Sequence, residues 1–249
     1  MEVIRFIFWE AVKILGLVFL AIIAAKAVGG LATSRAWLKP VLYGVILGLA
    51  GLGAWNTGND MAAEVYAWTC YNNLARGDSA QGYANAVRAV NLRPANPRYW
   101  RALMQSKMRL MQLESALDDE NSLRALGGGS LDEVDEYQFA LCAFFLGRYD
   151  RVTATTSTMI RRNPSYAAPY VLQGLAYTAQ KKYPEAEKSY VAILQMFPNH
   201  QAAVEGLARA YYLEGDRRRA LAVLGETAKF AFPQPARERI EALKGLYDQ

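Results

Sequence analysis

Hydrolytic, redox and metal chemistry need histidine, cysteine and carboxylate side chains in close array, and this 249-residue chain offers few such arrays. Its single histidine, His200, follows Pro198 and Asn199. One imidazole leaves a multi-histidine metal site without its partners and a catalytic triad with a single candidate base, and a position at the start of a helical segment predicts a capping role instead. Cys70 and Cys142 lie far apart, without zinc or Cys-x-x-Cys spacing, inside apolar helical patterns. That context predicts small buried thiols. Gly127, Gly128, Gly129 and Ser130 lack the Lys-Ser/Thr pair and strand context of a phosphate-binding loop, and predict a break or hinge. Around it stand Asp118, Asp119, Glu120, Asp132, Glu133, Asp135 and Glu136, without the spacing of a calcium loop, which predicts a solvated acidic loop. The expectation is a protein without catalytic residues, cofactor or metal.

Composition separates two regions. Net charge is +5, but basic residues interleave with acidic ones and never form a long block, which gives nucleic-acid binding little support. Residues 14–32, ILGLVFLAIIAAKAVGGLA, carry one charge, and residues 41–55, VLYGVILGLAGLGAW, carry none. Both are suited to the bilayer core, so a transmembrane hairpin is expected over 14–56. Residues 1–13 set Glu2, Arg5, Glu10 and Lys13 against Val3, Ile4, Phe6, Ile7, Phe8 and Val12, the pattern of an interfacial amphipathic segment. Gly44, Gly48 and Gly51 share one face of the second span, permitting close packing on the first span or on a partner's helix. Lys26, Arg35 and Lys39 lie in or near the hairpin loop, whereas residues 56–75 contain no basic side chain. By the positive-inside rule the loop is cytoplasmic and the body external, in a two-pass protein of the bacterial inner membrane. Two unpaired cysteines favour a reducing compartment and point the other way.

Residues 61–249 repeat with a period of 34: Pro164 and Pro198 end successive units, and Phe232 with Pro233 ends a third in nearly the same phase. Tyr170, Gly174, Tyr177, Ala186 and Tyr190 are followed in register by Val204, Leu207, Ala208, Tyr211, Ala220 and Leu224, with Gly215 and Asp216 as a turn. Phe139, Ala140, Ala143, Gly147 and Tyr149 precede Pro164 in looser form, as Tyr66, Cys70 and Gly82 precede Pro94. These units resemble tetratricopeptide repeats (TPR). Between them the pattern opens well at Trp100 and Leu103 but loses its second helix at LDDENSLRALGGGS. The resemblance implies an all-α fold, a TPR solenoid of about five helix pairs over 61–233, with a capping helix over 235–249 whose wet face carries Arg237, Glu238, Arg239, Glu241 and Lys244.

The resemblance also assigns a groove lined by first helices. Carried over by phase, its positions are Arg98, Arg101, Gln105, Met108 and Arg109, then Tyr137, Leu141, Phe144, Phe145, Val171, Leu175, Arg209 and Tyr212. Three guanidinium groups on one stripe suit carboxylates of a partner or anionic lipid headgroups, with a solvated basic face as the rival expectation. The later positions are more aromatic and suit a helix or extended peptide, although Phe144 and Phe145 also fit core packing.

The expected function is a membrane-anchored scaffold that assembles or stabilises a complex, with other protein subunits and the lipid bilayer as partners. Its layout is similar to that of the membrane TPR component of bacterial cytochrome c maturation. The opposite topology would make it a cytoplasmic recruiter, similar in layout to TPR subunits of polysaccharide synthases or secretion machines.

Overall fold

The computed structural model describes residues 2–30, 38–127, 129, 131–226 and 233–248, with backbone alone for residues 2–4, 6, 7, 27–30 and 38–40. Arg35, one of the cations expected to orient the hairpin, Phe232 and Ser130 lie outside them. Among the described residues the chain is all helical and divides into two compact units, Met1–Gly129 and Ser130–Gln249. The division falls within the glycine run where a break was expected.

In the first unit α1 (Glu2–Gly30) packs against α2 (Leu38–Ala75), followed by α3 (Ser79–Leu92), α4 (Pro97–Arg109) and α5 (Leu113–Leu126). Two junctions of the expected domain layout lie inside continuous helices. The amphipathic start runs without interruption into the first apolar stretch as α1, and the join near residues 56–61 lies inside α2. No proline or glycine pair breaks either junction, so backbone hydrogen bonding continues through it. A third difference is α5: residues 113–126 form a helix although their small-and-aromatic pattern is weak. Burial of Leu113, Ala116, Leu117 and Leu123 supplies its apolar face. A buried ion pair fastens it, with Lys107 Nζ 2.7 Å from Asp119 Oδ2 and 3.1 Å from the Ser115 carbonyl.

The second unit runs α6 (Glu133–Phe145), α7 (Tyr149–Arg162), α8 (Ala167–Ala179), α9 (Tyr183–Met196), α10 (Gln201–Glu214), α11 (Arg217–Glu226) and α12 (Gln234–Asp248). Its principal core gathers Tyr190, Ile193, Val204, Leu207, Tyr211 and Leu224, with Ile240 and Tyr247 of the last helix. On α12, Arg237, Glu238, Arg239 and Glu241 are exposed and Lys244 is half-buried, while Ala236, Ile240 and Tyr247 are buried, as a cap requires.

Local chemistry explains the punctuation. Asp78, Asn96, Asp132 and His200 accept backbone N–H groups at the starts of α3, α4, α6 and α10, and His200 Nδ1 does so at 3.3 Å from Ala203 N. The turns inside helix pairs place Gly77, Met111, Gly147, Lys181 and Gly215 at φ of 85°, 57°, 72°, 60° and 97°. Three of these five left-handed positions are glycine, where no Cβ opposes the turn.

Candidate partner-binding faces

In the first unit, Arg98, Arg101, Gln105 and Arg109 lie along one side of α4, with Arg98 and Arg109 exposed and Arg101 and Gln105 half-buried. Arg98 does not stand open to a partner's carboxylate. Its Nη1 donates to Glu64 Oε1 on α2 at 2.7 Å, and the Tyr99 hydroxyl donates to Glu64 Oε2 at 3.2 Å. Glu64 is buried, so these donors replace its lost hydration. Burial and the neighbouring Glu64 carboxylate push the Tyr99 hydroxyl up to about 12. The sequence missed this pairing, although its signal was present as opposite charges one period apart.

The acidic neighbourhood also differs from expectation. Asp119 and Asp135 are buried rather than solvated, and Glu120 accepts from Arg124 at 2.7 Å. Burial raises the Asp119 carboxyl above its ordinary range, while hydrogen bonding and attraction from Lys107 oppose the shift. Cys70 and Cys142 are buried free thiols, and burial pushes Cys142 up to about 11.

In the second unit, Tyr137, Leu141 and Phe144 are half-buried against a core of Ala140, Ala143, Val152, Leu172 and Ala176. Phe144 also stacks edge-on to Tyr149 at 5.6 Å, so core packing claims much of its ring. Phe145 behaves differently and is 62% exposed. On α8, Val171 packs beside the principal core and Leu175 is half-buried. On α10, Arg209 is exposed, while Tyr212 lies flat on Tyr247 of α12, ring centres 4.1 Å apart. Cap and candidate face therefore share one aromatic stack. An open hollow of about 510 Å³ nearby has His200, Glu205 and Arg239 on its wall.

The second helices are tied to α8 by polar contacts: Gln173 donates to Ser157 of α7 at 2.8 Å and accepts from Ser189 of α9 at 3.1 Å. Tyr190 of α9 fills the space between Gly174 and Gly206, where an added Cβ would stand 2.6 and 2.5 Å from ring carbons. Such contacts make these glycines packing requirements.

Residues 177–244 match the tetratricopeptide-repeat family model. Those residues carry tetratricopeptide repeats. The fold extends beyond that match. MamA from Desulfovibrio magneticus RS-1, residue 41 to its end, aligns over 68% of this chain and 94% of its own at 14% identity and a TM-score of 0.61. YrrB, described as a TPR protein with an unusual peptide-binding site, aligns over 72% and 90% at 14% identity and 0.56. A thermophilic TPR protein of Thermus thermophilus aligns over 73% and 98% at 20% identity and 0.54. At these identities the likeness shows the fold alone. No curated protein sequence matches the chain significantly. A TPR fold is a protein-interaction scaffold, and among the described residues no three His, Cys, Asp or Glu side chains gather as for a metal.

At the N-terminal end, two helices are long and apolar enough to cross a membrane, and 6% of each apolar window is buried. That exposure differs from the core helix of a water-soluble protein, which hides such residues. The expected glycine stripe does not join the two. A Cβ at Gly44, Gly48 or Gly51 would meet nothing within 4 Å, whereas one at Gly53 would stand 2.8 Å from Leu17. At 100° per residue the stripe lies about 140–200° around the axis from Gly53. Gly53 is therefore the close-approach position toward α1.

Proposed function

We propose that this protein is a membrane-anchored interaction scaffold that assembles or stabilises a membrane complex, with α1 and the first part of α2 in the bilayer and the repeats gripping a partner subunit. The observation that carries this proposal is the continuity of α2, which leads from an exposed apolar stretch directly into the first repeat. A flexible linker would leave the first repeats free to search, whereas an uninterrupted helix holds those of the first unit at a set place beside a membrane partner. The candidate contacts are Arg101, Gln105 and Arg109 in the first unit, and Tyr137, Leu141, Phe144, Val171, Leu175, Arg209 and Tyr212 in the second. Arg98 joins the first set when a competing carboxylate displaces Glu64. Gly44, Gly48 and Gly51 are left as a candidate stripe for a partner's helix. The peptide-binding site named for YrrB is consistent with a peptide segment as partner.

The test is isolation of the full chain from its native membrane in mild detergent, alongside a variant with Arg98, Arg101 and Arg109 changed to Glu. Stoichiometric partners lost from the variant support a scaffold using the basic face. Partners retained by both move the contact to the aromatic face or the hairpin. A chain that leaves the membrane alone counts against the proposal.

The basic residues around the loop and their absence from residues 56–75 support external repeats in a bacterial inner membrane. A C-terminal reporter active on one side only decides the topology, and a cytoplasmic signal supports the recruiter of a synthase or secretion machine instead.

A further inference from the structure

Arg93 ends α3, and its guanidinium reaches back to α2, donating to the carbonyl and side-chain oxygens of Asn56 and to the Asp60 carboxylate. Asn56 directly follows Trp55, the last residue of the apolar stretch. With a rise of about 1.5 Å per residue, Asp60 lies only about 7 Å beyond Trp55, whereas the end of α2 lies about 30 Å beyond it. The turn at 93–96 is thus held at the level where the apolar stretch ends, and the turns at 76–78 and 110–112 are at the far end of the same helix pairs.

Aromatic rings mark that level from several directions. Trp55 is 71% exposed on α2. The contact between Leu17 and Gly53 sets the two antiparallel helices in register, bringing the exposed Phe8 and Trp9 of α1 to the height of residues 61–62. Trp100 is half-buried beside the turn, its indole N–H donating to the Pro94 carbonyl at 2.7 Å. Indole rings favour the zone between hydrocarbon and water, where an apolar body and a polar N–H are both satisfied.

We propose that the turn at 93–96, with Trp100 beside it, is seated in the lipid headgroup layer, so that this edge of the first repeats contacts lipid while the opposite turns project away from the bilayer. The inference rests on the membrane anchor proposed above. Arg93 is paired with Asp60 and Arg98 with Glu64, so the seating does not depend on anionic lipid.

The test uses the full chain with both native cysteines changed to Ala, reconstituted in phosphatidylcholine nanodiscs and carrying one nitroxide at Val45→Cys, Ala95→Cys or Gln112→Cys. Collision with oxygen and with a water-soluble nickel chelate reports depth. The expected result is a Val45 label shielded from nickel, a Gln112 label fully open to it, and an Ala95 label severalfold less accessible than Gln112. Adding phosphatidylglycerol leaves that ranking unchanged. Equal nickel access at Ala95 and Gln112, with Val45 shielded, overturns the seating and leaves the anchor intact. Nickel access at Val45 overturns the anchor as well. Shielding at Ala95 only with phosphatidylglycerol overturns the charge-independent contact.

Discussion

Arg98 Nη1 and Glu64 Oε1 lie 2.7 Å apart on α4 and α2, 34 residues apart in the chain, so the pair links equivalent faces of successive first helices. The Arg98 side chain remains 53% exposed, and its contribution to stability is accordingly small, about 1 kcal/mol or less. In the proposed scaffold its larger effect is to occupy a guanidinium of the candidate face. Glu64→Gln is expected to tighten binding of a fluorescent tetraglutamate peptide severalfold, measured by anisotropy. Unchanged affinity would remove Arg98 from the binding face.

Lys107 and Asp119 present the opposite case, because both are buried. Asp119→Ala should lower stability by about 3–5 kcal/mol by leaving an ammonium without its counter-charge, whereas Lys107→Met with Asp119→Leu should come close to the parent. Thermal unfolding of the three proteins in one detergent checks this. Equal losses in the single and double variants would mean that the ions hold α5 through more than their mutual compensation.

Gly206→Ala should destabilise by about 1–3 kcal/mol, because its methyl would overlap the Tyr190 ring, which Gly174 confines on the other side. Gly225→Ala is the control, since a Cβ there meets nothing within 4 Å. Similar melting temperatures for the two would contradict the close approach.

Met111 and Lys181 hold left-handed backbone angles without being glycine. Changing either to Gly should stabilise by up to about 1 kcal/mol, the relief of the strained angle less the entropy glycine adds to the unfolded chain. A fall in melting temperature would show that the side chain contributes more than its backbone costs.

Tyr99, Tyr190 and Tyr211 hold their protons up to about 12: burial is the main cause in each, reinforced by Glu64 at Tyr99 and by Glu187 at Tyr211. An unfolded tyrosine ionises near 10. Because the folded values are raised, the stability linked to these hydroxyls is complete below about pH 10 and lost as pH rises toward about 12. The last part of the tyrosinate absorbance should therefore appear together with the loss of helical ellipticity within that window. Tyrosine ionisation completed before helix loss would contradict the buried assignment.

The repeat architecture was legible because its signals are local and recur. Tyr170, Gly174 and Tyr190 gave their phase away through spacing, Gly215 marked a turn, and His200 marked a helix start. The second helix of the second pair was not legible. Its stabilisation comes partly from Lys107 meeting Asp119, and charged residues in sequence look like solvent-facing ones until their burial is seen. What the glycine stripe faces was not legible for a related reason: periodicity placed Gly44, Gly48 and Gly51 on one face but carried no information about which face met α1.

By itself the sequence determined the helical period, the cap at His200, the turn at Gly215, the apolar stretches and the presence of a single histidine. All depend on residue type and short-range spacing along one helix. Only the tertiary structure decided that Glu64 holds Arg98, that Gly53 rather than the stripe faces Leu17, and that α2 runs unbroken into the first repeat. The two contacts depend on how neighbouring helices are rotated about their own axes, which hydrophobic periodicity leaves open to within a broad arc. The continuity of α2 depends on the absence of a break, and a change from apolar to polar composition resembles a boundary whether or not the backbone hydrogen bonds stop there.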